Sequence, residues 1–107
     1  MDLTVTARPV GDAIVVALDG IADLAGAPRL HDELRRVITR HPGVRLVVDL
    51  DGAIAVDDVA LGLLLGAAAT AREAGGDLEI VCTGPRLRER LAATRFDLAV
   101  TVRDSIV

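Results

Sequence analysis

The stretch "LVVDLDGAIAVDDVALGLLLGAAATA" spans Leu46 to Ala71. It begins as an apolar, β-branched run and passes through Asp49-Leu50-Asp51-Gly52 and then Asp57-Asp58. Thirteen uncharged residues follow, Val59 to Ala71. Two acidic pairs this close suit a site that handles phosphate through a hard cation, because such a cation takes oxygen ligands. The same residues equally suit a strand end, a turn and a helix start, since Asp and Gly favour turns and Asp favours helix N-caps. The flanking sequence decides between the two.

Upstream of Asp51, Val44 to Leu50 is apolar on both faces, the pattern of a covered central strand. Leu3 to Arg8 alternates with period two, and Ala13 to Leu18 is rich in β-branched residues. With Gly11-Asp12 between them, these two read as a hairpin. Asp19-Gly20 breaks the second strand, and Asp23 can cap the helix that follows, with Pro28 in an early turn. Leu30, Leu34, Val37 and Ile38 give that helix one apolar face, and His41-Pro42-Gly43 ends it. Downstream, a helix opens at Asp57 and stops at Gly75-Gly76. Leu78 to Cys82 reads as a strand. Gly84-Pro85 starts a helix with Leu87 and Leu91 inward and Arg86, Arg88, Glu89 and Arg90 largely outward. Ala99 to Val102 is a last short strand. The order β-β-α-β-α-β-α-β implies an α/β domain: a four- to five-stranded mixed sheet with an N-terminal β-hairpin and helices packed against it.

Composition narrows the functions open to such a domain. A chain of 107 residues fits one domain, expected over 1–107, and 51% hydrophobic residues make it globular. Phe96 is the only aromatic residue, so there is almost no platform for stacking bases. The net charge of −4 is a poor match to a phosphate backbone, and no nucleic-acid partner is expected. All twelve basic residues are arginine, which removes any mechanism that needs lysine. Cys82 is the single cysteine, and His31 and His41 lack the neighbours of a ligand set, so no metal and no cofactor are expected. The thirteen uncharged residues are too few for a membrane span. "MDLTVTARPV" is not a secretory leader, so the expected compartment is the cytoplasm, with no direct membrane insertion.

"VVDLDG" resembles the first motif of haloacid-dehalogenase-like phosphatases. That resemblance implies Asp49 as nucleophile, Asp51 as general acid/base and a magnesium ion between them. The rest of the chain departs from it. Ala53 stands where the family has Thr, and no lysine balances the phosphate. The motif strand is third rather than first, and the acidic pair comes six residues later instead of far downstream. A receiver-type regulator fails for want of the same lysine. No catalytic residue is expected.

The remainder of the opening stretch resembles another family. In the sulfate-transporter-and-anti-sigma-factor-antagonist (STAS) domains the third strand leads to a D-S-S-G-L-G-type motif that opens a helix. Here the corresponding residues are "VDLDGAIAVDDVALGLLLG", with Asp57 on the motif Asp and Leu61-Gly62 on its L-G. "VALDGIADLAGAPRL" and "AREAGGDLEIVCTGPRLRERLAATRFD" resemble the family's adjoining elements in the same order. The resemblance implies a regulatory module that binds a kinase-type anti-sigma factor or similar switch protein. It also implies a phosphoacceptor serine at Asp58, and places the family's next Ser and Gly at Val59 and Ala60. No Ser or Thr lies between Val44 and Ala69, so a hydroxyl phospho-switch is lost.

Physically, Asp57 is a good N-cap, and Asp58 falls in the first turn, where the helix dipole favours an anion by about 0.3–1 kcal/mol. At about 100° per residue, Leu61, Leu64, Leu65 and Ala68 should face the core, with Gly62, Gly66 and Thr70 opposite and Leu63 at the edge. The expected partner-binding surface is Asp23, Val59, Ala60, Gly62, Leu63 and Gly66, with Asp58 as regulatory residue and Asp57 as cap. The alternative is a non-switching accessory subunit of a regulatory scaffold or of a lipid-transport ATPase complex; a third is the small D-x-D phosphatase. Oligomeric state stays open.

Overall fold

The computed structural model describes residues 2–106. Strand β1, Thr4–Val10, turns back antiparallel onto β2, Ala13–Ala22, through Gly11-Asp12. Gly11 holds the positive φ of 60° that primed hairpin turns require. Helix α1, Ala27–Arg40, leads into β3, Arg45–Asp49, which pairs parallel with β2. After a turn, β4, Ala53–Val56, pairs parallel with the far end of β2, and α2, Asp58–Glu73, follows at once. Strand β5, Asp77–Val81, lies beside β3. Helices α3, Pro85–Ala93, and α4, Phe96–Ala99, then carry the chain to β6, Thr101–Arg103. The main sheet order is β1-β2-β3-β5-β6, with β4 attached only to β2.

The expected mixed sheet with its N-terminal hairpin and covering helices is what forms. Two short elements, β4 and α4, are additional to the expected order, and β6 starts at Thr101, two residues later than expected. The shift at β6 has a local cause: Phe96, the one aromatic side chain, is buried by a short helical turn, and the strand cannot begin until that turn ends.

Strand alternation sorts the sheet into two faces. Ile14, Leu46 and Leu78 align across β2, β3 and β5, as do Val16, Val48, Ile80 and Val102 from β2 to β6. These rows meet Leu30, Leu34, Val37 and Ile38 of α1 and Leu61, Leu64, Ala68 and Ala71 of α2 in the main core. The other face is smaller: Ala13, Val15, Val47 and Val81 pack with Val10 and Ile106. Beside them lies Glu79, the one buried charged residue among those described. Its carboxylate accepts from Arg45 Nε at 2.5 Å and from Arg103 Nε at 2.7 Å. Arg45 also donates through Nη2 to the Ile106 carbonyl at 3.3 Å, so this ionic cluster ties the segment after β6 across the second face.

A buried carboxylate is tolerated only while its partners are in place, and removing one member of such a cluster leaves uncompensated charge. Arg45→Ala combined with Arg103→Ala, which strips Glu79 of both partners, is expected to lower stability by about 3 kcal/mol, read as a lower urea midpoint with an unchanged slope.

Candidate functional site

The site is assembled where β3 hands over to β4. Asp49 Oδ1 accepts from the Asp51 N–H at 2.9 Å, an Asx-type turn. Asp51 Oδ1 accepts from the Thr83 N–H at 2.7 Å and from its hydroxyl at 3.1 Å, joining this turn to the loop before α3. Gly52 is held close: a Cβ there would lie 2.0 Å from Asp19 Oδ1 and 2.9 Å from the Leu18 carbonyl oxygen. The D-x-D-G is therefore a turn with a cross-tie. Asp49 and Asp51 each direct a carboxylate oxygen to the chain itself, and among the described residues no three metal-ligating side chains converge.

Asp57 is the N-cap of α2. Its backbone is extended, and Oδ1 accepts from the Ala60 N–H at 3.0 Å. Its own N–H donates to the Ala22 carbonyl at 2.9 Å, which fixes the helix start at the end of β2. Asp58 begins the helix with its side chain 89% exposed and 2.6 Å from Arg90 Nη2 of α3. Arg86, Leu87 and Arg90 face Ile54, Ala55 and Val56 across a shallow channel of about 450 Å³ that ends at Asp57 and Asp58.

Along α2 the expectation holds in part. Leu61, Leu64 and Ala68 are buried, and Gly62 and Gly66 are exposed. Leu63 and Leu65 exchange roles: Leu63 is half-buried against the core, while Leu65 is exposed. The reason is α1, which packs beside α2 and extends the buried arc toward Leu63. Leu34 and Ile38 of α1 and Gly62, Leu63, Gly66 and Ala67 of α2 help to line a groove of about 530 Å³, rimmed by His31, Arg35, Thr39 and Thr70. Ala60 is fully buried and offers no direct contact surface. Asp23 does not cap α1. Gly26 holds that position without a side-chain cap, and Asp23 Oδ1 accepts from the Gly26 N–H at 3.2 Å in the preceding turn. Asp23 still lies at the Asp57 end of the sheet, one residue beyond Ala22.

Residues that local pattern does not reveal complete the face. Arg90, expected to point outward, returns to Asp58 across 32 positions. Arg88 is half-buried, donates to the Cys82 carbonyl at 3.2 Å and pairs with Asp104. Leu24 and Ile54 are 70% and 67% exposed, and Val59 joins them at 41%. Among the described residues no helix is long and apolar enough to cross a membrane.

The sequence matches the family described as "Mlab, STAS domain" over residues 5–102, and the chain belongs to the STAS family. The crystal structure of an anti-sigma factor antagonist from Mycobacterium paratuberculosis superposes with a TM-score of 0.88 at 23% identity, covering 98% of this chain and 88% of that one. Bacillus SpoIIAA in its phosphorylated form matches with a TM-score of 0.70 at 14% identity, covering 95% and 93%. The murine anion transporter Slc26a9 contains the same fold: TM-score 0.71, 15% identity, 92% of this chain but 17% of the transporter. No curated protein matches in sequence.

Two predictions follow from this geometry. A Cβ added at Gly62 or Gly66 meets open space. Gly62→Ala and Gly66→Ala are therefore expected to stabilise the free protein by about 1 kcal/mol each, measurable by urea denaturation. Cys82 is buried, and its thiol pKa is pushed up, first by burial and then by the Asp51 carboxylate. A raised folded value means that the thiol's contribution is complete below the unfolded value, about 8.5, and is lost as pH rises past it. The chain has neither lysine nor tyrosine, so no other side-chain type is expected to titrate just above that value. Stability should fall as pH rises past about 8.5 and stay flat in Cys82→Ala.

Proposed function

We propose that the chain is a protein-binding regulatory module of the anti-sigma factor antagonist type, with Asp58 where switched relatives carry a phosphoacceptor serine. The observation that carries this reading is the surface at the start of α2. A solvated carboxylate at Asp58 is followed along the helix by Val59, Gly62 and Gly66, all exposed and uncharged. The partner is a kinase-type anti-sigma factor or similar switch protein, met in the cytoplasm by residues 1–107 acting as one STAS domain. Its contact face comprises Asp23, Asp58, Val59, Gly62, Gly66 and the accessible edge of Leu63. Asp57 holds the helix start in position. Because the chain has no Ser or Thr between Val44 and Ala69, a kinase finds no hydroxyl there, and binding is set by affinity and concentration. Phosphoserine carries about −1.5 to −2 with three acceptor oxygens, against −1 for a carboxylate.

A second reading uses the same face without any switch: an accessory subunit of a regulatory scaffold or of a lipid-transport ATPase complex. What favours it is the Asp58–Arg90 pair. A carboxylate already matched by a guanidinium presents less free charge than phosphoserine, so the face resembles an unmodified one.

Titration calorimetry with a kinase-type anti-sigma factor from the same cells tests both readings. Gly62→Arg is expected to weaken binding at least tenfold, about 1.4 kcal/mol. On the first reading Asp58→Ser becomes a kinase substrate, and its phosphorylated form is released. On the second, Asp58→Ser and Asp58→Ala bind as the parent does. Unchanged affinity in Gly62→Arg, Val59→Arg and Asp58→Ala together would remove the face from consideration.

A further inference from the structure

Helices α1 and α2 lie side by side over the main core and leave a groove of about 530 Å³ between them. Its apolar lining is aliphatic: Leu34 and Ile38 come from α1, Leu63 and Ala67 from α2. Gly62 and Gly66 keep the α2 wall low, since neither carries a side chain. The volume falls within the range of about 300–1,000 Å³ typical of small-molecule sites, which are mostly apolar with a few placed polar groups. No Phe, Tyr or Trp lines the groove, so it suits a flexible hydrocarbon better than a planar ring that stacks. Between Gly62 and Thr70 the helix rises about 12 Å, a length that a medium-chain alkyl group can follow.

The rim carries one unmatched charge. Arg35 is exposed and, among the described residues, forms no hydrogen bond or ion pair. No acidic residue lines the groove. The carboxylates nearest Arg35 along α1 are engaged with other groups: Asp32 Oδ1 lies 3.7 Å from His31 Nδ1, and Glu33 Oε1 lies 3.2 Å from Arg36 Nη1. On the α2 side the Thr70 hydroxyl donates to the Gly66 carbonyl at 3.1 Å. Arg35 is the one arginine in the lining, so the groove is matched to one negative charge and leaves a doubly charged phosphate half-compensated. A free guanidinium holds a carboxylate through two parallel N–H groups.

We infer that the α1–α2 groove is a binding site for a small amphipathic monocarboxylate, an acid with one carboxylate and an aliphatic body. The body lies along Leu34, Ile38, Leu63 and Ala67, and the carboxylate takes both free N–H groups of one edge of Arg35. Apolar burial supplies the affinity, and the guanidinium selects an anion over a cation or a neutral alcohol. The groove borders the face proposed above for a protein partner, but the inference does not rest on that reading. Ligand binding to the free chain is measured with no partner present, so either can fail alone.

The test is an amide-resolved NMR titration of the full chain with decanoate, decanol and decylamine, each below its micelle concentration. Decanoate is expected to shift the amides of His31–Thr39 and Gly62–Thr70 saturably, and decanol and decylamine to bind at least tenfold more weakly. Arg35→Gln, at an exposed position, should weaken decanoate about tenfold or more, as expected for loss of a charge-assisted bidentate contact. Gly66→Leu projects a side chain into open space in the groove and should block binding with Arg35 intact. Thermal midpoints establish that both variants are folded, and the comparison of the three probes on the parent protein stands without them. Equal binding of decylamine, undiminished binding in Arg35→Gln, or no saturable shift with decanoate would each overturn the proposal. So would shifts of the same amides on concentrating the protein alone, which would place a second copy in the groove.

Discussion

Strand β3 cannot run straight on beside β2. At Leu50–Gly52 the chain must turn within van der Waals contact of the Leu18 carbonyl, and only a residue without a side chain fits there. The turn is closed by the Ala53 N–H donating to the Leu50 carbonyl at 3.0 Å and by the Gly20 N–H donating to the Gly52 carbonyl at 3.1 Å. Beyond it, pairing with β2 resumes in a shifted register, Gly20 with Ala53 and then Ile21 with Ala55. The later geometry hangs on this step. Strand β4 ends with Asp57 bonded to Ala22, which places the start of α2. Asp51 in the same turn holds Thr83, which anchors the loop that launches α3. Asp58 and Arg90 therefore meet because both segments are referred to one turn.

Helix α2 sets burial on one side against intrinsic helix propensity on the other. Leu64 is fully buried and Leu61 nearly so, each contributing about 1.5–3 kcal/mol relative to exposure. Gly62 and Gly66 oppose this by about 1 kcal/mol each relative to alanine. Burial outweighs that cost, so the fold tolerates glycines that nothing inside the domain requires. Their side of the helix is left narrow and uncharged beside the α1 groove. A surface that sacrifices intrinsic helix stability without an internal steric reason is consistent with close approach by another backbone.

The legibility of these features in sequence follows the range of the forces involved. Helix α1 is readable because Leu30, Leu34, Val37 and Ile38 repeat with the helical period. The central strands are readable because both faces are apolar, and Asp57 because capping is local. Strand β4 is hidden: Ala-Ile-Ala-Val is too short for a period to show, and turn residues on both sides make it look like loop. The interchange of Leu63 and Leu65 is also invisible locally. A helical wheel fixes which residues lie together, but the neighbour that covers them is α1, separated by two strands. The Asp58–Arg90 contact is the extreme case, since no spacing rule connects the first turn of one helix with the second turn of another.

That contact bears on what a fixed acid at Asp58 can do. An exposed ion pair is worth about 0–1 kcal/mol, so Asp58 contributes little to the fold. Its influence lies in local charge. Asp57 and Asp58 share the channel end with Arg86 and Arg90, two negative groups against two positive, and the positive end of the α2 dipole adds to the latter. A phosphoserine at the second position would tip the same balance negative by about another half to one charge. At physiological ionic strength such a difference is felt only within about 8 Å. Only a group touching the head of α2 would sense it, and one elsewhere on the domain would not. A carboxylate rather than a phosphate at Asp58 therefore alters contact chemistry at one end of one helix and leaves the rest of the fold electrostatically unchanged.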